Sequence, residues 1–284
     1  MAPMTSRNYF KRFFIATLTV CSVYLIWYNL YSANGDVGVM GDFDTRPAGN
    51  LSSYSIQQLK LIFFRVMTSG KKHCSNHTKH GRTTADGGYD VCFSANFTPS
   101  HNRCIVLSFG INNEWSFDEA LSERGCYVHA FDPSLNKSDH MHSALIQFHN
   151  LGLGRLNEVN EKKWKMQNIK TILSSLQLQD RTIDVMKCDA EGAEWFLLED
   201  VLKDLIDVKQ IILEVHSLKR NPDTVSKEDL TYMINLFDNL QRAGYVVDHS
   251  YHKYSCCVAF SPFFPPGKDE KCCYEVYLLN TRYM

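Results

Sequence analysis

The sequence predicts an α/β fold: a doubly wound, mostly parallel sheet that ends in a C-terminal antiparallel hairpin and is preceded by one N-terminal transmembrane helix. Three observations carry this reading. From Cys104 onward, short apolar runs recur at 105–109, 127–131, 145–148, 183–187 and 210–215. They are continuous rather than alternating, as strands buried on both faces must be, and stretches such as 116–124 and 193–205 can be helical between them. The last pair of runs, 245–249 and 273–279, alternates more and encloses Pro262, Pro265, Pro266 and Gly267, the pattern of a long-looped hairpin. The third observation is an apolar run over 13–31 behind Arg7, Lys11 and Arg12.

That first run is broken only by Thr17, Thr19, Ser22 and Asn29. A helix over it rises roughly 28 Å, close to the hydrocarbon thickness of a bilayer. Trp27, Tyr28 and Tyr31 stand where the chain leaves the bilayer, and Asp36, Asp42 and Asp44 follow. Basic residues ahead of the span place the N-terminus in the cytosol and the rest in the lumen. A cleaved signal peptide is the competing reading, but its core is usually 7–15 residues, and Tyr31 would put a bulky ring three residues before the cut. The expected organisation is a cytosolic tail (1–12), a signal anchor (13–31), a flexible stem (32–54), a luminal lead-in with one helix (55–103) and the α/β domain (104–284). The resulting type II protein faces the lumen of the Golgi or endoplasmic reticulum, or is secreted if the leader is removed.

Composition narrows the partners. Thirty basic residues against 31 acidic ones leave no basic stripe for a polyanion, so nucleic acid is not expected. Four N-x-S/T triplets, at Asn50, Asn76, Asn96 and Asn136, and ten cysteines suit an oxidising, glycosylating compartment. The cysteines show no C-x-x-C, and the doublets Cys256-Cys257 and Cys272-Cys273 do not readily chelate one tetrahedral ion, so disulfides are expected and no metal. Cys104 and Cys126 each precede one of the first two strands, whose starts lie side by side in a doubly wound sheet; a bridge between them is expected. Two buried thiols, or pairing of either with Cys92 or the C-terminal doublets, are the alternatives. Before the domain, Ser55 can cap a helix over 56–67 with Leu59, Ile62, Phe63 and Val66 on one side, and 89–93 can form a short strand.

Open α/β sheets bind ligands beyond the carboxyl ends of their strands, so the chemistry is sought there. The first strand ends in Gly110, which permits a tight turn or close backbone approach. The second ends in Asp132, about twenty residues on, where a carboxylate can accept ribose hydroxyls; a turn cap before Pro133 is the plainer alternative. The fourth leads into Asp189, Glu191 and Glu194, either functional carboxylates or the solvated acidic start of a helix. The fifth ends in Glu214 and His216, on one face by the two-residue period, with His216 a candidate general base or a satisfied edge histidine.

The blocks Ser108-Phe-Gly-Ile-Asn-Asn-Glu-Trp, Gly125-Cys-Tyr-Val-His-Ala-Phe-Asp-Pro and Lys187-Cys-Asp-Ala-Glu-Gly-Ala-Glu resemble the methyltransferase-like protein 24 group, related to the FkbM-type methyltransferases. Asp86-Gly-Gly-Tyr-Asp-Val-Cys and the ending Asn280-Thr-Arg also match its style. The resemblance implies a class I methyltransferase fold, S-adenosylmethionine as cofactor, and methyl transfer to a hydroxyl oxygen on an acceptor such as a glycan. Carried over by position, it implies that Ser108, Gly110, Glu114 and Asp132 contact the cofactor, while Asp189 and Glu191 line the reaction site beside His216. This chain departs from the usual pattern at Ser108, where an acidic residue is typical, and in having Gly110 alone in place of a glycine-rich turn. A catalytically inactive luminal binding protein on the same fold is the second reading.

If 13–31 is an uncleaved anchor, the expressed protein stays in the pellet on carbonate extraction, keeps an N-terminal tag and loses mass on glycosidase treatment. Recovery of a soluble, tag-less form starting near residue 33 would instead mean a secreted protein.

Overall fold

The computed structural model describes residues 50–83, 87–98, 103–216, 218, 225–252 and 273–284. The tail (1–12), the expected anchor (13–31), the stem up to residue 49 and the proline-bearing hairpin loop with Cys256, Cys257 and Cys272 lie outside them. No helix among the described residues is long and apolar enough to cross a membrane.

Helix α1 (Ile56–Thr68) opens with the expected cap: Gln58 N donates to Ser55 Oγ and Ser55 N to Gln58 Oε1, closing a capping box. A hairpin follows, β1 (His77–Gly81) against β2 (Gly88–Cys92). Then come β3 (Ile105–Phe109), α2 (Ser116–Ser122), β4 (Tyr127–Phe131), β5 (His140–Ser143) and β6 (Ile146–His149). A small sheet of β7 (Gly152–Leu153), β8 (Glu158–Val159) and β9 (Lys165–Gln167) precedes α3 (Ile169–Ser175). The chain continues through β10 (Ile183–Cys188), α4 (Glu194–Lys203), β11 (Val208–His216), α5 (Lys227–Arg242), β12 (Tyr245–His252) and β13 (Cys273–Asn280).

Eight strands form the main sheet in the order β12-β13-β11-β10-β3-β4-β6-β5. β6, β4, β3, β10 and β11 are parallel, and β13, β12 and β5 run antiparallel to their neighbours. This is the expected sheet, with its C-terminal hairpin, and β5 added at the far edge. The chain works outward from β3 to β6 and then returns to β10 on the other side. The order therefore reverses between β3 and β10, which puts a crevice beyond their carboxyl ends.

Alternate residues of each strand serve opposite faces. Ile105, Leu107 and Phe109 of β3 and Ile211, Leu213 and Val215 of β11 join a large core with the buried residues of α1, α3, α4 and α5. Val106, Val128 and Ile212 point the other way, toward Phe117 and Leu121 of α2 and Tyr89 and Val91 of β2. Helix α1 belongs to the first core, where Phe63 packs against Trp195 and Phe237, so the segment read from sequence as a lead-in is built into the domain. The end of the expected flexible stem is ordered as well. Leu51–Ser53 form a 3-10 turn with Leu51 buried in that core, because an apolar side chain there can leave water.

Two disulfide bridges join described residues. Cys104 and Cys126 are linked with Cα atoms 4.5 Å apart, at the adjacent starts of β3 and β4 as expected. Cys92 pairs with Cys74, a bridge the spacing alone did not single out. Beside it, Asp248 of β12 accepts from Cys74 N, binds His77 Nε2 at 2.7 Å and meets His249 Nδ1 at 2.6 Å. His249 Nε2 reaches Asp90 Oδ2 at 3.2 Å, and the imidazole stacks on Tyr277. Hydrogen bonding from His249 holds Asp90 below the ordinary carboxylate range; Asp248 is also lowered, its bonds outweighing burial. Burial alone would lower His249, but its bonds to Asp248 and Asp90 outweigh it and raise the imidazole.

These directions fix a pH window for the cluster. The raised His249 stabilises the fold fully below the ordinary imidazole value of 6.5, and that contribution fades as pH climbs through the raised value. The lowered aspartates stabilise it above 3.8 and lose their contribution as pH falls through their lowered values. Urea midpoints recorded from pH 3 to 9 should therefore show the largest gap between the native chain and His249→Gln at roughly pH 4 to 6.5. A gap independent of pH would rule out the charged network.

Candidate active site

The crevice is organised by Gly110 and Lys187. Gly110 leaves β3 at φ +73°, and a Cβ there would lie 1.7 Å from the carbonyl oxygen of Asp189. The turn after β3 thus lies directly against the turn after β10, a closeness only glycine allows. Asn112 and Asn113 continue in the left-handed region, at φ 45° and 57°. Lys187, near the end of β10 and almost wholly buried, donates from Nζ to Phe109 O (3.2 Å) and Gly110 O (2.7 Å). The same ammonium is 3.9 Å from Asp189 Oδ2 and lies 5.1 Å from the centre of the Tyr89 ring. Sequence reasoning passed over both residues, although a lysine beside the end of a largely apolar run was visible.

Of the residues expected at the cofactor, Gly110 and Asp132 bracket the crevice. Asp132 Oδ2 accepts from Asn112 N at 2.8 Å, and its Oδ1 accepts from Ser134 N and Ser134 Oγ at 2.8 and 2.5 Å. It therefore joins the ends of β3 and β4 and also caps the 3-10 turn Pro133–Leu135. Phe109, Phe131 and His149 stack across three adjacent strand ends, with successive centroids 4.6 and 4.7 Å apart. Glu114 is engaged elsewhere: it pairs with Arg82 at 2.5 Å and accepts from Ser116 N, bracing β1 against α2. Ser108 is buried under α2, with Oγ facing Asp118 but outside normal hydrogen-bond geometry. Burial pushes that aspartate up to about 6, against the pull of Lys187.

The residues expected at the reaction centre divide. Asp189 receives the Tyr89 hydroxyl on Oδ2 at 3.2 Å, while its Oδ1 lies 3.9 Å from His216 Nε2. Glu214 Oε1 is 3.6 Å from the same nitrogen, so Glu214 and His216 do share a face. The helix boundary separates Glu191 from Glu194, because α4 begins only at Glu194. Glu191 sits in the preceding loop at φ 53° and is exposed. Glu194, which sequence reasoning left as a solvated helix start, is completely buried. It accepts from Ala190 N and Gly192 N, which closes that loop, and holds His216 Nδ1 at 3.1 Å. Burial would lower His216, yet the Glu194 hydrogen bond and the charges of Glu194, Asp189 and Glu214 raise it to about 9. The imidazole is therefore a cation at neutral pH rather than the near-neutral base expected from sequence. Among the described residues, Asp189, Glu214 and His216 offer O, O and N donors within 4.8 Å of one another, and His77, Asp248 and His249 offer N, O and N donors equally close.

A doubly wound sheet with this strand order, and carboxylates gathered where the order reverses, is a methyltransferase-like α/β architecture. The family model described as "Methyltransferase domain" matches residues 55–261, and the chain belongs to that family. It is similar to "Probable methyltransferase-like protein 24" of Homo sapiens, 25% identical over 82% of this chain and 67% of that protein. The Rattus norvegicus protein of the same name is 27% identical over 68% of this chain and 56% of its own length. The chain thus spans between about half and two thirds of these relatives. A candidate S-adenosylmethionine-dependent methyltransferase from Listeria monocytogenes, known from its crystal structure, superposes with a TM-score of 0.34 and 9% identity, over 64% of this chain and 93% of that one.

Two glycines separate close packing from simple backbone strain. Gly110→Ala meets the Asp189 carbonyl and should cost on the order of 3 kcal/mol or more. Gly192→Ala, at φ +108° with nothing within 4 Å of the added carbon, should cost only about 1–2 kcal/mol. Thermal melts of the two variants check the order, and equal losses would show that the turns do not abut.

Proposed function

We propose that this chain transfers a methyl group from S-adenosylmethionine to a hydroxyl oxygen, on a glycan or similar acceptor, from the luminal side of a secretory membrane. The observation that carries the reading is the convergence of Gly110, Asp132, Asp189 and His216 at the carboxyl ends of four adjacent parallel strands. The residues fit the cofactor at its ribose. Asp132 Oδ2 accepts one backbone N–H, and a carboxylate oxygen has a second lone pair with which to take a hydroxyl. Bound there, S-adenosylmethionine would supply an electrophilic methyl group on a sulfonium.

The remaining work falls to this chain. Asp189 Oδ1 is the oxygen placed to take the acceptor's proton, with Oδ2 held by Tyr89. His216, kept cationic by its neighbours, orients Asp189 and Glu214 rather than acting as the base. Glu191 stands on the exposed rim, where it can meet an acceptor. The luminal setting is supported by two disulfides and by the exposure of Asn50, Asn76, Asn96 and Asn136. The engagement of Asp132 and Glu114 by the protein's own groups favours the second reading, a binding protein on the same fold.

Calorimetric titration with S-adenosylmethionine separates the two. Saturable binding is expected, weakened by about 2–4 kcal/mol in Asp132→Ala through loss of charge-assisted hydrogen bonds to the ribose. Failure of the native chain to bind would remove the enzyme reading, and unchanged affinity in a folded variant would leave Asp132 as a turn residue.

A further inference from the structure

We infer that Asp189, Glu214 and His216 bind one divalent cation, with Glu194 fixing the imidazole from behind; the inference rests on the reading of this crevice as the reaction site. The three donors lie within 4.8 Å of one another, at the ends of the neighbouring parallel strands β10 and β11. His216 Nε2 stands 3.9 Å from Asp189 and 3.6 Å from Glu214, too far for hydrogen bonds. Donors sharing an ion at about 2.1 Å lie ~3.0–3.6 Å apart, so small carboxylate rotations would complete the set.

The other ring nitrogen supplies an independent observation. Histidines that ligate metals commonly give their second N–H to a carboxylate, which fixes the tautomer and the ring. His216 Nδ1 faces Glu194 Oε1 at 3.1 Å; Glu194 is completely buried and anchored by Ala190 N and Gly192 N. The backbone of His216 is pinned too, since its carbonyl accepts from Trp195 Nε1. Three carboxylates thus surround one imidazole, while the nearby Lys187 ammonium is used on Phe109 O and Gly110 O. Without an ion the imidazolium balances part of that charge; a dication bound at Nε2 would displace the proton there and take its place, leaving Nδ1–H on Glu194.

The cluster of His77, Asp248 and His249 makes the contrast. There the ring nitrogens already form bonds of 2.6–3.2 Å, so that group is a closed hydrogen-bond network. Two hard oxygens with one imidazole suit Mn²⁺ or Zn²⁺. An ion so held would keep open positions for an acceptor hydroxyl and favour its ionisation.

The purified full-length chain, stripped with EDTA, is titrated with Mn²⁺ by calorimetry and electron paramagnetic resonance, with Zn²⁺ and Mg²⁺ in parallel. One saturable site is expected, weakened at least tenfold in Asp189→Asn and Glu214→Gln and roughly 10–100-fold in Glu194→Gln. No site filling below about 1 mM for any of the three ions, or an unchanged site in a folded Glu214→Gln, overturns the inference. If Glu214→Gln does not fold, Asp189→Asn, whose carboxylate is partly exposed, decides alone. S-adenosylmethionine binding without cation binding removes only the ion; cation binding without S-adenosylmethionine removes only the methyltransferase reading.

Discussion

An ammonium buried at the end of a central strand is tolerable only if its protons find acceptors, and Lys187 finds them on the backbone of the neighbouring strand. Phe109 O, which also accepts from Asp189 N, and Gly110 O are thereby held against β10. The turn after β3 is drawn down until its glycine touches the carbonyl of Asp189. Tyr89 lies beside the same ammonium and hydrogen-bonds Asp189, which makes the β1–β2 hairpin a wall of the site. The placing of Asp189, and through it of His216, follows from the solvation of one amine.

The two faces of the sheet are stabilised by different means. One is covered by four helices and relies on packing, with Trp195 at the centre of an aromatic group that includes Phe63 and Phe237. The other has one short helix and a polar hairpin, and there the chain adds the Cys74–Cys92 bridge and the Asp248 network. A bridge limits the freedom of the unfolded chain, and a bonded ionic group restrains the native one. Together they fix a hairpin whose first strand, His-Thr-Lys-His-Gly, buries little apolar surface of its own.

This division also explains what the sequence disclosed. The five parallel strands were legible because strands covered on both sides are mostly apolar, and the Cys104–Cys126 pairing followed from their adjacency. β1 and β5 were not, because they are polar strands specified by partners distant in sequence or by a sheet edge. The strands β7 to β9 are too short to show a period. Within the site, the carboxylates were visible as residue types at strand ends, but their roles were not. Burial of Glu194 and exposure of Glu191 depend on where α4 begins, set by left-handed backbone at Glu191 and Gly192. The charge of His216 depends on three carboxylates brought together from two strand ends and a helix start.

The bridge at the base of β3 and β4 makes the segment from Cys104 to Cys126 a closed covalent ring. The ring carries β3, the Gly110 turn and α2, so one wall of the crevice is a loop with no free end. A single peptide cleavage anywhere within it leaves both pieces attached to the molecule at the end of the sheet opposite the crevice. This rim of the site can therefore be nicked by a protease without being shed, a tolerance that disappears wherever the thiols are kept reduced.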